Sequence, residues 1–228
     1  MAGETAAEHE AGVRASKAWY DDVFAVHGIP TRSDEALWWA LAEPPPWHSA
    51  AKTLRRDVTA DRVLRAIEPF EHCSVADSYG TADLAPAGFQ RLFAAKWLHR
   101  EAPTPEAGLP DGWGVVTEPV ELARWNERHD YTGVLRPAFL EHPRFTVLAR
   151  HKSSDPVGGA VLHEAGATVE LSNAWAAEGG KEDVPAMVAC AAALHPGRPL
   201  VGYAHGDELS RWLTAGFRAT GTQVVWVR

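Results

Sequence analysis

The sequence predicts an α/β protein that contains one structural unit twice, each copy a mixed, mostly antiparallel sheet flanked by helices, with the first copy truncated. Residues 200–228 show the unit most clearly, as an apolar run, a helix-length segment opening with Asp207, the end Ala215-Gly216-Phe217 and a final apolar run. Residues 72–100 follow the same order and carry Ala87-Gly88-Phe89 at the matching place. Such self-similarity is the usual sign of a repeated unit.

The two Gly-Phe pairs have a physical explanation. A helix that turns back into a strand commonly ends on a residue with positive φ, which glycine adopts without strain. The apolar residue that follows then packs back on the helix. We therefore expect Gly88 and Gly216 to end their segments in this way, with Phe89 and Phe217 as the packing residues.

The N-terminal part of the chain begins with a polar stretch, residues 1–11, which we expect to be frayed. Apolar residues at roughly helical spacing predict a helix over 12–27. A strand-like run at 38–42 ends at Pro44-Pro45-Pro46, because proline cannot stay in a central ladder. A helix over 60–70 follows. Since only one helix and a short loop precede the strand, the first copy should be truncated.

Residues 101–112 carry three prolines and two glycines, a composition typical of a linker. We therefore place a truncated first repeat at 12–101, a linker at 102–112 and a complete second domain at 113–228. The second domain should contain a strand at 113–116, a helix at 118–128, a strand at 145–149, a hairpin of 157–163 with 167–175, and a helix at 184–194.

Composition limits the classes of function. With 46% apolar residues the chain can fill a core, and a formal charge of -8 without a basic cluster argues against broad nucleic-acid affinity. The histidines show no metal-ligand spacing, so we expect no metal site. No apolar run could span a membrane and no signal peptide is visible. Cys73 and Cys190 lie in apolar runs and should be reduced thiols, so we expect a soluble, cytoplasmic protein.

The order of elements near the C-terminus resembles a known fold. A strand, a short helix closing on Gly-Phe and a last strand, preceded by a hairpin over 160–176 and a helix over 184–194, are similar to the C-terminal part of the GCN5-related N-acetyltransferase (GNAT) fold. The resemblance is one of pattern and order rather than of a strict motif. It implies that 113–228 is one GNAT-like repeat and 12–101 a truncated one, as in tandem versions of the fold.

The resemblance implies acetyl-CoA, or another acyl-CoA, as cofactor. In the family it lies between the fourth and fifth strands, with its pyrophosphate at a glycine-bearing loop before the main helix, where unpaired N–H groups and the helix dipole favour an anion. The corresponding cofactor-binding positions here are Asn173, Trp175, Gly179, Gly180 and Lys181.

The loop departs from the family pattern whether Gly179 or Gly180 is placed at the family's first glycine. It is also rich in carboxylates, namely Glu178, Glu182 and Asp183. Asp183 is also expected as the N-cap of the following helix. In the first repeat, the corresponding segment Pro44–Ser49 contains no glycine, and we expect that repeat to bind no cofactor.

The resemblance also points to catalytic residues. A general base on the central strand would be Glu170, although an exposed hairpin residue is the alternative. The acid of the family, often a tyrosine in the last helix, corresponds to Trp212, which cannot protonate a thiolate. Tyr203 and His205 could take that role; a core aromatic residue and a helix-flanking polar residue are the alternatives for them. His163 should be a surface residue of the hairpin turn.

Three functions compete. The first is acyl transfer from acyl-CoA, or another activated donor, to a small amine. The second is a catalytically degenerate GNAT-like domain that binds a ligand or a partner protein through tryptophans such as Trp47 and Trp175. The third is transfer from aminoacyl-tRNA, which the acidic chain disfavours because tRNA needs a basic track. Exposed edge strands could pair in a homodimer, but nothing in the sequence requires one.

Overall fold

The computed structural model describes residues 2–177, 181 and 183–228. The chain folds into two compact units that alternate along the sequence. The first consists of Met1–Leu98, Tyr203–Leu209 and Ala219–Arg228, and the second of His99–Gly202 and Ser210–Arg218. The C-terminal residues therefore belong to the same unit as the N-terminal helix.

The secondary structure combines five helices with eleven strands over the described residues. The helices are α1 (Ala2–His27), α2 (Ala60–Ala66), α3 (Pro119–Arg128), α4 (Val184–Leu194) and α5 (Glu208–Thr214). The strands are β1 (Thr31–Ser33), β2 (Leu37–Ala40), β3 (Ala51–Thr53), β4 (Ser74–Asp77), β5 (Gln90–Arg100), β6 (Trp113–Val115), β7 (Phe145–Lys152), β8 (Asp155–Ala165), β9 (Thr168–Ala176), β10 (Leu200–Ala204) and β11 (Arg218–Val227).

Both units are built on mixed sheets, which confirms the predicted fold class. In the first unit the strand order is β1-β2-β3-β4-β11-β5, and in the second it is β10-β9-β8-β7-β6. Each unit contains a parallel pair joined through a helix: β3 with β4 through α2, and β9 with β10 through α4. The neighbouring pairs β1-β2, β2-β3, β4-β11, β6-β7, β7-β8 and β8-β9 are antiparallel.

The core of the first unit forms between α1 and the sheet. The Trp38 ring is fully buried and meets the rings of Tyr20 and Phe24 edge-on, at centroid distances of 5.1 and 4.7 Å. Its indole N–H donates to Asp21 Oδ1 at 2.9 Å, so the polar end of this large side chain is satisfied. Three residues of one helix thus fix the position of β2.

Two predictions about the first unit were wrong. α1 begins at Ala2, so residues 1–11 are not frayed as a whole, because His9 is buried and its Nε2 bonds to the backbone oxygen of Ser78 at 2.9 Å. The loop that enters α2 covers residues 54–59, not Pro44–Ser49, because the short strand β3 intervenes. The entering loop has no glycine, but it carries Arg55 and Arg56.

The two Gly-Phe ends have the same local geometry, as predicted. φ is 85° at Gly88 and 87° at Gly216. The amide of Phe89 donates to Leu84 O at 3.3 Å, and that of Phe217 to Trp212 O at 3.2 Å. Both phenylalanines are buried. The segments before them differ, since α5 is an α-helix and the first copy has only a 3-10 turn, Ala85–Ala87.

Replacing Gly88 or Gly216 by alanine should lower the free energy of unfolding by about 1–2 kcal/mol, because an L side chain is strained at this φ. Crowding adds little, since a Cβ at Gly88 meets no atom within 4 Å and one at Gly216 comes no closer than 3.4 Å to Arg100 Nε. Urea unfolding measures the change. Gly108→Ala is the control, because Gly108 has open space and no positive φ; equal stability of all three variants would contradict the prediction.

No helix in the described parts of the chain combines the length and apolar character that a bilayer crossing requires.

Candidate active site

The candidate site of the second unit begins at a β-bulge in β9. Two residues of this strand, Asn173 and Ala174, face the single residue Ala160 of β8, because the register between the two strands shifts there. Asn173 has a φ of 50°, which is uncommon for a residue other than glycine. A bulge takes one residue out of the ladder and re-aims neighbouring side chains, which is why bulges are frequent beside active sites.

The parallel ladder between β9 and β10 stops shortly before this bulge. It pairs Leu200 with Val169 and Val201 with Glu170. The strands are still close at Gly202, where a Cβ would lie 2.6 Å from Leu171 O. Within residues 2–177, 181 and 183–228, no pairing with β10 is seen for 172–176, so this stretch of β9 is bonded into the sheet on its β8 side.

Trp175 forms the wall of the site. Its side chain is only 5% exposed and meets the Trp125 ring edge-on at 5.6 Å. Trp125 is in turn held by its indole N–H, which donates to Leu148 O at 2.9 Å. Gly159 makes room for both indoles, since a Cβ there would lie 2.3 Å from Trp125 Nε1 and 2.7 Å from Trp175 Nε1. The wall is therefore rigid and tightly packed.

His129, directly after the end of α3, lies flat against this wall. Its ring stacks on Trp175 at 5.7 Å with an angle of 16° between the planes, and it meets the Trp125 ring edge-on at 5.0 Å. Burial lowers the pKa of His129 to about 4, and a hydrogen bond with the Asn173 side chain opposes this in part. The imidazole is therefore neutral at pH 7.

The hydrogen bond with Asn173 orients the imidazole. Asn173 Nδ2 donates to Ser172 Oγ at 3.1 Å. The hydrogen bond between the Asn173 side chain and His129 favours the protonated ring. A neutral imidazole carries a lone pair on one of its two ring nitrogens. A neutral histidine held in place by a neighbouring polar side chain is the arrangement that a general base needs.

The predicted base Glu170 is buried, with 3% exposure, and is not the exposed hairpin residue considered as the alternative. It pairs with Val201 on one side and with His163 on the other. His163 is also fully buried, so its prediction as a surface residue was wrong. Both residues lie in central strands of the unit's sheet, and α3 packs on β8 while α4 packs on β9.

The predicted cofactor-binding residues fall into two groups. Asn173 and Trp175 lie together with His129, as described above. Gly179 and Gly180 lie outside the described residues, and Lys181 is exposed. Asp183 caps α4 as predicted, since its Oδ1 accepts from the Ala186 amide at 3.2 Å. Arg150 Nη1 lies 3.9 Å from its other oxygen, so a cation stands at the start of this helix.

Tyr203 and His205, the predicted acid candidates, belong to the first unit. Tyr203 is 38% exposed and meets the Trp97 ring edge-on at 5.8 Å, so it is not a core residue. The His205 ring stacks on Phe93 at 4.7 Å. Trp212, at the position of the family's tyrosine, is buried against Phe217 in the second unit, which makes it a core residue.

His129 was missed in the sequence because no spacing pattern includes it. It follows a helix as a single histidine, and only the packing of α3 on β8 brings it to the bulge. The residues that did point to this site in the sequence lie in β9, where Trp175 stands near the end of the strand.

Comparisons with known proteins bear on the fold. No protein-family model and no curated protein matches the chain. A GCN5-related N-acetyltransferase from Kribbella flavida is similar in structure with a TM-score of 0.61, 16% identity and 95% of each chain covered. A GCN5-related N-acetyltransferase-like protein from Streptococcus suis has a TM-score of 0.53 and 14% identity, covering 98% of this chain and 100% of its own.

A functionally unknown conserved protein from Staphylococcus epidermidis is also similar, with a TM-score of 0.63, 14% identity, and coverage of 86% of this chain and 92% of its own. Identities at this level report on architecture. The mixed sheets, the parallel pair crossed by a helix, the bulged strand and the Gly-Phe end agree with that architecture. The chain has the GCN5-related N-acetyltransferase fold.

Proposed function

We propose that the chain transfers an acyl group from acyl-CoA to the nitrogen of a small amine, at the bulge of β9. The observation that carries this proposal is the neutral His129, held by Asn173 of the bulge and stacked on Trp175. It offers a lone pair beside a strand whose ladder with β10 has just ended. Such a site can take a proton from an amine without itself carrying charge at neutral pH.

The described residues fit an acyl-CoA donor. Arg150 and the exposed Lys181 supply positive charge near the start of α4, where a helix N-terminus favours an anion. The Asp183 carboxylate carries the opposite charge and is partly neutralised by the neighbouring Arg150. The bulge frees backbone of β9 from its ladder, as a site for a thioester carbonyl requires. The donor supplies the activated acyl carbon, and the protein supplies position and a proton acceptor.

In this reaction the amine nitrogen forms a bond to the acyl carbon, the carbon–sulfur bond breaks, and the proton of the amine is taken up by His129. The hydrogen bond with the Asn173 side chain favours the protonated imidazole that forms. Glu170, buried on the same strand, is the second candidate for the base. Tyr203 and His205, the acid candidates from the sequence, belong to the first unit, and this step assigns them no role.

Release of free thiol from acetyl-CoA, measured with a panel of small primary amines, tests this function. His129→Gln should lower kcat by about 100-fold or more, as expected for loss of a general base. Asn173→Ala should lower the pKa of His129 further, which shifts the acidic limb of the pH–rate profile to lower pH. His72→Gln is the matched control, because His72 is exposed.

Two results would contradict the proposal. One is the absence of thiol release with every amine while calorimetry shows no binding of acetyl-CoA. The other is full activity of His129→Gln, which would leave Glu170 as the base to test next.

A second candidate function, binding of a partner protein without chemistry, is favoured by Trp47. Its side chain is 71% exposed and its φ is 65°, so a large apolar surface is held outward at a strained position. If the chain acts in this way, Trp47→Ala should abolish binding of the partner protein, whereas His129→Gln should leave that binding unchanged.

We also propose that residues 12–101 and 113–228 are two copies of one ancestral unit, in a cytoplasmic enzyme. Each of these two ranges contains a parallel strand pair joined through a helix and a left-handed Gly before a buried Phe. Cys73 and Cys190 are both free thiols, as a reducing compartment would keep them. Burial raises the pKa of Cys190 to about 12, so this thiol is unreactive.

A further inference from the structure

The first unit contains a cavity of about 670 Å³. One face of α1, the loop between β1 and β2, the loop after β3 and Tyr79 line it, and it is open to solvent at its rim. This volume lies in the range of sites for small molecules. None of the residues proposed for acyl transfer lines it.

The floor of the cavity is apolar and uncharged. Val13, Leu54 and the Tyr79 ring line it together with His9. The His9 ring contacts that of Tyr79 at 4.7 Å, and its Nε2 is bonded to Ser78 O. Burial lowers the pKa of His9, so the imidazole is neutral at pH 7. The body of a ligand held here would therefore be apolar.

The rim carries equal numbers of opposite charges. Its cations are Arg14, Lys17, Arg55 and Arg56, and its carboxylates are Glu10, Asp34, Glu35 and Asp57. A polyanion would meet four carboxylates here and a polycation four basic groups. The net formal charge of zero therefore favours a ligand that carries both signs.

Most of these charges are already paired within the protein. Arg14 pairs with Glu10, Arg55 with Asp57, Lys17 with Asp21 and Asp34 with Arg62. Of the charged rim residues, Arg56 and Glu35 are in no ion pair within the described part of the chain. The Arg56 guanidinium lies over the Tyr79 ring, 5.3 Å from its centroid, which places a cation with unused donors above the apolar floor.

We propose that this cavity binds a small zwitterion, an amino acid or short peptide with an apolar side chain. Arg56 binds the carboxylate through its planar donors, Glu35 binds the ammonium group, and the apolar part lies against Val13, Leu54 and Tyr79. The site is separate from the proposed acyl-transfer site and does not depend on that activity.

Calorimetric titration with four probes tests the proposal. Two are zwitterions of different charge separation, L-phenylalanine and the dipeptide Leu-Leu; two carry a single charge, phenethylamine and 3-phenylpropionate. At least one zwitterion should bind about tenfold more tightly than either single-charge probe, since each satisfied ionic hydrogen bond contributes on this order.

The variants assign the two charges. Arg56→Gln should lower the affinity for the zwitterion to that for phenethylamine and leave the affinity for phenethylamine unchanged. Glu35→Gln should lower the affinity for the zwitterion to that for 3-phenylpropionate. Both side chains are exposed, so the variants should fold, which circular dichroism checks. Arg91→Gln, at an exposed position on β5 away from the cavity, is the control. The proposal would be overturned by equal affinity for all four probes or by unchanged affinity in both variants. It would also be overturned if neither zwitterion bound at a concentration of about 10 mM.

Discussion

Gly159→Ala should be among the most destabilising single substitutions in the second unit, lowering the free energy of unfolding by about 3 kcal/mol. The new Cβ would lie 2.3 Å from Trp125 Nε1, 2.5 Å from Leu148 O and 2.7 Å from Trp175 Nε1. One of these atoms is backbone and the other two belong to buried rings. None of them can move without breaking the bond from Trp125 to Leu148 or displacing Trp175.

Urea unfolding of the wild type and the variant measures this loss. Gly114→Ala is the matched control in the same unit, because the nearest atom to its Cβ would be His151 Cε1 at 3.7 Å, an ordinary contact. The variant should also lose acyl transfer, since Trp175 supports His129. Stability within about 0.5 kcal/mol of the wild type would show that the packing around Gly159 is looser than described.

Acid should destabilise the first unit through His48. This imidazole is buried, its Nε2 accepts from the Trp19 indole N–H at 3.0 Å, and its Nδ1 donates to Pro46 O at 2.9 Å. The neutral ring thus uses both nitrogens, and a second proton would face the N–H of Trp19. Burial lowers the pKa of His48 to about 4.

The direction of this pH dependence follows from proton binding in the folded and unfolded states. The unfolded chain, with an ordinary histidine pKa near 6.5, binds the proton more readily than the folded chain. The contribution of His48 is therefore complete above pH 6.5 and falls by about 1.4 kcal/mol per pH unit down to pH 4, a loss of roughly 3 kcal/mol.

Free energies of unfolding of the wild type and His48→Asn, measured between pH 7.5 and 4.5, test this dependence. The variant should be less stable at neutral pH but should lose less stability on acidification. The difference between the two slopes isolates His48 from His129, whose pKa is also lowered to about 4. His72→Asn, at an exposed site, should keep the wild-type slope. Parallel curves for the wild type and His48→Asn would refute the role of His48.

The features that could be predicted from the sequence were those decided by neighbouring residues. α4 spans Val184–Leu194, as expected from its apolar run and from the cap Asp183. The Gly-Phe ends adopt the expected left-handed geometry because φ at a glycine is a local property. The hairpin of β8 and β9 follows in the same way, because its turn contains Gly166 in the left-handed conformation.

The features that could not be predicted depend on contacts between distant segments. The sequence left an exposed position open for Glu170 and predicted one for His163, but α3 and α4 pack against β8 and β9 and both residues are buried. The polar start of α1 gave no helical periodicity, and His9 is held by distant residues, through its bond to Ser78 and its ring contact with Tyr79. His129 acquires its environment from Trp125, Trp175 and Asn173, which lie up to 46 positions away in the chain.

The placement of β11 between β4 and β5 has a consequence for synthesis on the ribosome. The facing edges of β4 and β5 stay without their partner strand until β11 has left the exit tunnel. Nascent chains therefore expose two unpaired strand edges until β11 is available. An N-terminal fragment cut within residues 102–112 would keep these edges open and should aggregate, whereas adding the β11 peptide in trans should prevent the aggregation.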